Sequence, residues 1–424
     1  MVNLIDRLID KLVSEWGKSD NGSKPPARQT RTIQAERELL LTELNRSNVF
    51  HFKHEKDKGI ILYYCNKEHN VKDLTVPDVV DVIGREAFKS CKYLESITIP
   101  PSVKIIEDFA FKGCTNLKEV HFSGGLQKIG SQAFDSCGLV DVELPRGLAV
   151  LSDRVFYNCT KLKKVMVPES IHSFQNGVFY GCESLEEVLL QMKMRGTFCN
   201  VFAHCKSLEH IVIPEGVREI EDWCFEYCDN LKDVCIPNTV TKICNRAFLY
   251  CKSLKKINIP DSVNEIEVAA VFAGCSALES VRLPIGIRFT PRYEKDFDKV
   301  FYNCNSLKTV VLGSHTFQVD EPPDENALIY MHTSLAVEGN PSARDYIYGH
   351  FDEVFRVIVD RGDIGLTDKL LASKFASAKR ISSETVDKAI DYAAEKGEHE
   401  IYLMLVKFKQ EKLGFDSVKD RFEL

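Results

Sequence analysis

The chain has 424 residues, 44% of them hydrophobic and 28% charged, and its 55 Lys and Arg against 62 Asp and Glu give a formal net charge of −7. That length accommodates two domains and a sizeable core. A mild acidic balance without a basic stripe argues against a nucleic-acid binder, and no apolar run is long enough to cross a bilayer, so no integral membrane segment is expected.

Residues 1–49 open with Val2, Leu4, Ile5, Leu8, Ile9, Leu12, Val13 and Trp16 at helical spacing, with Asn3, Asp6, Arg7, Asp10, Lys11 and Ser14 on the other face. This predicts an amphipathic helix about 24 Å long. Acids from Asp6 onward and the lack of a small-residue cleavage site argue against a signal peptide. The apolar face either packs back on its own protein or docks through Leu4, Ile5, Leu8, Ile9, Leu12 and Trp16 on a partner or a second copy. The mixed signs of the polar face disfavour a membrane surface. Gly17 to Thr30 reads as a polar tether, and Ala35 to Leu44 as a second short helix. Residues 50–77 hold two strand-like runs around Lys53-His-Glu-Lys-Asp-Lys-Gly59, read as a β-hairpin cap over a solenoid edge. Val71-x-x-Leu74-x-Val76-Pro77 then closes an incomplete opening repeat.

The middle of the chain repeats one sentence. Phe-x-x-Cys recurs at Phe88/Cys91, Phe111/Cys114, Phe134/Cys137, Phe156/Cys159, Phe179/Cys182, Phe202/Cys205, Phe225/Cys228, Phe248/Cys251, Phe272/Cys275 and Phe301/Cys304, with the cysteines 22 to 24 residues apart and a last step of 29. A period this short means a solenoid. A leucine follows each cysteine (Leu94, Leu117 and so on to Leu307), then a period-two apolar alternation such as Val165-Met-Val167, then usually a proline such as Pro168. The alternation is a half-buried strand, and the proline, lacking an N–H, ends it. An isoleucine four residues before the Ala-Phe, as in Ile129 and Ala133-Phe134, fits a helical or 3₁₀ turn on the outer side.

The unit Ile-x-x-x-Ala-Phe-x-x-Cys-x-x-Leu-x-x-Ile-x-Ile-Pro, over roughly Val71 to Leu312, resembles the BspA-type (TpLRR) leucine-rich repeats. The resemblance implies a curved solenoid with a parallel sheet on its concave side, and recognition of macromolecules rather than catalysis. The fold class expected is therefore α+β: a curved leucine-rich-repeat solenoid over 78–313 with a parallel concave β-sheet, an N-terminal hairpin cap and a small all-helical C-terminal domain.

Ten of the 15 cysteines belong to the repeat. On neighbouring rungs their Cβ atoms should be nearer ~5 Å than the ~3.8 Å of a disulfide. They read as reduced, buried thiols acting as small hydrophobes, which favours a reducing, cytoplasmic setting. Relatives of this type are often secreted or surface-bound, and a secreted or cell-surface adhesin or glycan binder is the rival reading.

The strand residues facing out of the core form a column: Thr98, His121, Glu143, Met166, Leu189, Val212, Cys235, Asn258, Arg282 and Val311. Met166, Leu189, Val212 and Cys235 make an apolar strip about 15 Å long, bordered by Lys164, Glu187, His210 and Asp233. An apolar centre with a charged rim is the anatomy of a protein-binding patch. The bland alternatives are that such residues suit strands anyway, or that the C-terminal domain covers them. Two stretches break the rhythm, Gln191-Met-Lys-Met-Arg-Gly-Thr197 and the insertion within Ile285 to Val300; drift of the repeat is the favoured account.

After the junction Val319-Asp-Glu-Pro-Pro-Asp-Glu-Asn326 the period turns helical. Segments around Gly362 and Gly397, 35 residues apart, echo one another as degenerate ankyrin-like helix–turn–helix units, so 320–424 reads as an ankyrin-like helical domain. Arg361-Gly362-Asp363 spells an adhesive tripeptide, but its glycine is already explained as a helix C-terminus. No phosphate-binding loop, nucleophile elbow, His-Glu-x-x-His or Cys-x-x-Cys occurs, and the pairs Cys224/Cys228 and Cys199/Cys205 are a poor metal set, so no catalytic residue, metal or cofactor is expected. The reading is a non-enzymatic interaction scaffold for a protein partner, with a hydrolase a distant third.

Overall fold

The computed structural model describes residues 39, 41–42, 45–46, 49–66, 70–190, 193, 196–267, 270–290, 300–373, 376 and 381–413. The amphipathic stretch, the tether, most of the second short helix, most of Gln191 to Arg195 and residues 291–299 of the insertion lie outside them. The chain divides into two compact units, Met1–Pro237 and Asn238–Leu424.

In the first unit, an antiparallel hairpin, Phe50–Glu55 with Gly59–Cys65, opens the solenoid. Gly59–Cys65 then pairs in parallel with Val82–Ile83, and that strand with Ile105–Ile106, Lys128–Ile129 and Val150–Leu151 in turn. The hairpin is therefore the first rung of a sheet. Asn45 clamps its outer strand, accepting the Phe52 N–H at 2.7 Å and donating to the Phe52 carbonyl at 3.1 Å, so that part of the edge is paired.

Each turn carries two strands. The longer strands are those read from the alternation, such as Ser96–Ile99, Glu119–Phe122, Lys164–Val167 and Glu187–Leu190, stacked in parallel register. The second, of two to four residues, holds the isoleucine before the Ala-Phe, as in Lys128–Ile129. The expected helical turn there is thus a correction. The i, i+4 spacing comes from a short strand followed by a tight turn.

That turn is a ladder of its own. The N–H groups of Glu86, Phe88 and Ser90 reach the carbonyls of Asp108, Ala110 and Lys112 on the next rung, while those of Ala87, Lys89 and Cys91 fold back to Gly84, Glu86 and Phe88. Alternation requires left-handed residues at fixed places. They fall two before the Phe (Glu86, Phe109, Gln132, Arg154, Asn200, Trp223, Arg246, Ala270) and one before the Cys (Ser90, Ser136, Asn158, His204, Tyr227, Tyr250, Asn303), with φ between 51° and 61°. Each non-glycine costs roughly 1–2 kcal/mol there. The inter-rung hydrogen bond offsets the strain. Gly181 fills one such place at φ 73°, and a Cβ on it would sit 2.2 Å from Asn158 Oδ1.

Inside the turns the phenylalanines stack. In the first unit Phe88, Phe111, Phe134, Phe156, Phe179, Phe202 and Phe225 follow one another at 4.8–5.7 Å with planes within 12°. Beside them the cysteine thiols donate hydrogen bonds: Cys114 to the Phe88 carbonyl at 3.0 Å, Cys137 to Phe111 at 3.1 Å, Cys159 to Phe134 at 3.1 Å. The same carbonyl already accepts the N–H of its own cysteine, as Phe88 does from Cys91. The thiol therefore fills a second lone pair, a role beyond the small hydrophobe expected. Burial pushes Cys159 up to about 12 and Cys182, Cys205 and Cys228 well above the usual thiol range, so these sulfurs stay protonated.

The second unit continues with Lys256–Asn258, Ser280–Leu283 and Thr309–Leu312 in one sheet and Lys242–Ile243, Glu265–Glu267 and Arg288–Thr290 in the other. Phe248, Phe272 and Phe301 stack at 5.4 and 5.5 Å. An antiparallel strand, His315–Gln318, closes the first of these sheets through the two-residue turn Gly313-Ser314. Six helices follow: α1 Glu325–Val337, α2 Pro341–Tyr348, α3 Phe351–Arg361, α4 Ile364–Ala372, α5 Ser383–Lys396 and α6 His399–Phe408. Asp324, Asn340, Asp363 and Ser382 cap α1, α2, α4 and α5. Gly362 and Gly397 end α3 and α5 in the left-handed conformation. Helix α1 is tied to the last turns through His332. Its Nδ1 bonds the Leu328 carbonyl at 2.8 Å, which leaves Nε2 to accept the Gly286 N–H at 3.2 Å, and the ring stacks on Tyr346 at 4.3 Å.

Three outcomes follow from this packing. Phe156→Ala should cost about 3–5 kcal/mol in chemical denaturation, because the rungs on both sides hold the cavity open. Gly181→Val should cost at least about 2 kcal/mol, whereas Ser90→Gly, at an equivalent left-handed place, should be neutral or stabilising. Burial holds His332 down at about 4, against an ordinary value of 6.5. The unfolded chain therefore takes up this proton first: the stabilisation is complete above about pH 6.5 and is lost as pH falls toward 4. The loss is on the order of 3 kcal/mol. His332→Gln should flatten the pH dependence of unfolding in that window.

Candidate functional site

The longer strands present one residue of every pair to the outside, and on four successive ones that residue is apolar, as it is again at Val311. Met166 is half-buried, while Leu189, Val212 and Cys235 are exposed, Val212 to 68%. Burial of the flanking positions explains the aim of these side chains: Val165 and Val167 are fully buried and Ile211 and Ile213 nearly so, and the side chain between them must point away.

Register places Met166 opposite Leu189 and Val212 opposite Cys235. The ladder itself is not continuous across the four. Asp141–Glu143, Lys164–Val167 and Glu187–Leu190 form one sheet, and His210–Val212 with Asp233–Cys235 another. The single unbroken strip expected from the sequence is thus two adjoining pairs. The break coincides with the turn of Gln191 to Thr197, which lacks the usual proline, and with a register shift at Gly196/Thr197 in the opposite sheet.

The border is built from cross-rung ion pairs. Lys164 Nζ lies 2.7 Å from Glu187 Oε2, and His210 Nδ1 lies 3.1 Å from Asp233 Oδ2. One column further out, Lys232 pairs with Glu209 at 2.7 Å and holds its carboxyl below the usual range. Higher on the same face, hydrogen bonds from Lys72 and Lys118 bring Glu95 down to about 2. Exposed pairs of this kind contribute little stability each. The Lys164–Glu187 pair cancels its own charge beside the apolar centre.

The other residues singled out from sequence are engaged internally. His121 Nε2 lies 3.5 Å from Glu119. The thiols of Cys205 and Cys228 donate to the Phe179 and Phe202 carbonyls at 3.3 and 3.1 Å. In the Arg-Gly-Asp tripeptide, Arg361 lies over the Tyr330 ring at 4.4 Å, and Asp363 accepts from Leu366 N–H and the Tyr330 hydroxyl at 2.8 and 2.6 Å. All three of its residues are used within the fold.

One feature was missed by the sequence reading. Tyr157, Tyr180, His204 and Tyr227 form a half-buried row beside the phenylalanine stack, 4.9–5.1 Å apart. The available signal was an aromatic ring just after the Phe or just before the Cys on four successive turns. Tyr157 stacks on Tyr180 and His204 on Tyr227, while Tyr180 and His204 meet at a tilt of 53°, so the row binds rung to rung.

Among known proteins, the sequence profile of the BspA type leucine rich repeat region (6 copies) matches residues 81–196 and 198–322. No curated protein matches the chain. A leucine-rich repeat protein from Bacteroides ovatus ATCC 8483 is 29% identical, with a TM-score of 0.54 over 62% of this chain and 70% of its own. The T. pallidum leucine-rich repeat protein TpLRR is 27% identical over 49% of this chain and 89% of its own, at a TM-score of 0.38. A leucine rich cell surface protein from Faecalibacterium prausnitzii A2-165 is 23% identical over 63% of this chain and 94% of its own, at a TM-score of 0.35. Proteins built from such repeats are typically interaction or surface-recognition modules. With the repeat period, the stacked turns and a profile covering more than half its length in agreement, this chain belongs to the BspA-type leucine-rich-repeat family.

Proposed function

We propose that the chain is a non-enzymatic recognition scaffold that binds a protein partner through the longer-strand face, with Met166, Leu189, Val212 and Cys235 as the contact and Lys164, Glu187, His210 and Asp233 as its rim. The carrying observation is the exposure of Leu189 and Val212 on adjoining sheets, with Lys164 paired to Glu187 and His210 beside Asp233 at the border. Aliphatic side chains on a preorganised surface favour an apolar protein segment, since nothing need be ordered or neutralised first. The strip holds no aromatic ring, which weighs against the adhesin or glycan-binding alternative.

Two further parts of the reading rest mainly on the sequence. The N-terminal apolar face (Leu4, Ile5, Leu8, Ile9, Leu12, Trp16) is a second docking element, to a partner or another copy. The helical segment is ankyrin-like, supported by α3 packing against both α1 and α5, with α6 against α5. A reducing, cytoplasmic location is supported by the thiols, each of which needs its hydrogen to reach a phenylalanine carbonyl.

The test is capture from native lysate with wild type and with Met166→Glu/Leu189→Glu. The double variant should unfold at the wild-type temperature and lose a partner that wild type retains, and the purified partner should bind wild type at least about tenfold more tightly, a difference of about 1.4 kcal/mol. Equal binding to a stably folded variant would contradict the assignment.

A further inference from the structure

The end of the second unit's longer-strand sheet carries an edge of unusual composition. In the strand His315–Gln318, the Val319 N–H bonds the Lys308 carbonyl inward. Antiparallel pairing alternates, so His315 and Phe317 also face inward, and the N–H and C=O of Thr316 and Gln318 point outward. His315, Thr316 and Gln318 are exposed. The strand has neither the lysine nor the proline that natural edges use against further pairing.

A groove of about 410 Å³ runs beside this edge, with Phe317, Val319, Pro322 and Tyr330 among its lining and Asp320 and Glu321 on its rim. Among the described residues, neither of those two carboxylates has an ion-pair partner; Lys308 Nζ goes to the Asp320 main-chain carbonyl instead, at 3.1 Å. Elsewhere on this kind of sheet, several acids are paired with a cation on a neighbouring rung: Glu95 with Lys72 and Lys118, Glu187 with Lys164, Glu209 with Lys232, Asp261 with Arg282. At the last strand the acids are present and the cations of a next rung are not.

We propose that this edge accepts an extended cationic segment of a partner protein as an added β-strand. Its backbone pairs with Thr316 and Gln318, its Lys or Arg side chains meet Asp320 and Glu321, and an alternate apolar side chain enters the groove at Phe317 and Pro322, since Arg361 already covers the Tyr330 ring. This site is separate from the Met166 to Cys235 strip.

The full chain is titrated with fluorescein-labelled Lys-Val-Lys-Val-Lys-Val and followed by anisotropy. Saturable binding is expected. It should weaken at least tenfold in Asp320→Asn/Glu321→Gln, vanish in Gln318→Pro, and be absent with Glu-Val-Glu-Val-Glu-Val. Gln318→Pro removes an outward N–H and the 3.5 Å contact of the Gln318 side chain with the Thr309 hydroxyl, and a melting curve checks that it folds. Independently of any variant, amide exchange at residues 315–319 should slow when the cationic peptide is added. Failure to saturate, binding unchanged in the charge variant, or unaltered exchange at 315–319 would overturn the proposal. So would a peptide-free dimer that occupies the edge, which would assign it to a second copy.

Discussion

The rest of the structure depends on the spacing of the phenylalanine stack. Rings 4.8–5.7 Å apart match the separation of neighbouring strands, so one repeat length serves the aromatic interior and both hydrogen-bond ladders. A turn with one residue too many must loop it out or lose the register. This accounts for a cysteine period held within 22 to 24 residues through nine copies. The cysteine is suited to its place because a small, fully buried side chain there can donate to a carbonyl that already accepts one N–H. Leucine alone would leave that second lone pair empty.

Left-handed residues on every turn are the cost of this arrangement. Strained non-glycine positions persist only where their surroundings over-determine them, and here residues such as Glu86, Phe109, Gln132 and Arg154 are held by a hydrogen bond to the next rung. A rigid interior leaves function to the outward residues. Cross-rung pairs tie up several surface charges, and two places stand apart from them: the aliphatic centre at Leu189 and Val212, and the acids beside the last strand.

The sequence was most legible where one residue type does one physical job. Phe, Cys, Leu and Pro announced the period, the core and the strand ends, and Gly362 and Gly397 announced two helix C-termini that the structure places in the left-handed conformation. The second strand of each turn was not legible, because two residues such as Lys128 and Ile129 carry no alternation to count. The left-handed positions were hidden because Ser, Asn, Tyr and Arg occupy them as well as Gly. The closing strand His315–Gln318 had a usable signal in Gly313-Ser314, two turn-forming residues between strand-like runs. At the candidate site the outward column was legible from burial logic alone. The split between Leu189 and Val212 was not, since the alternation looks the same on both sides of it.

The stacked phenylalanines and the alternating turn ladder form one cooperative framework behind the proposed recognition surface. Amide hydrogen exchange across residues 88–228 tests it most directly. The account predicts that the N–H groups of Phe111, Phe134, Phe156 and Phe179, which pair between rungs, exchange only on global unfolding and with similar protection. Exchange at those amides as fast as in exposed loops, or protection that falls steeply from one rung to the next, would contradict it.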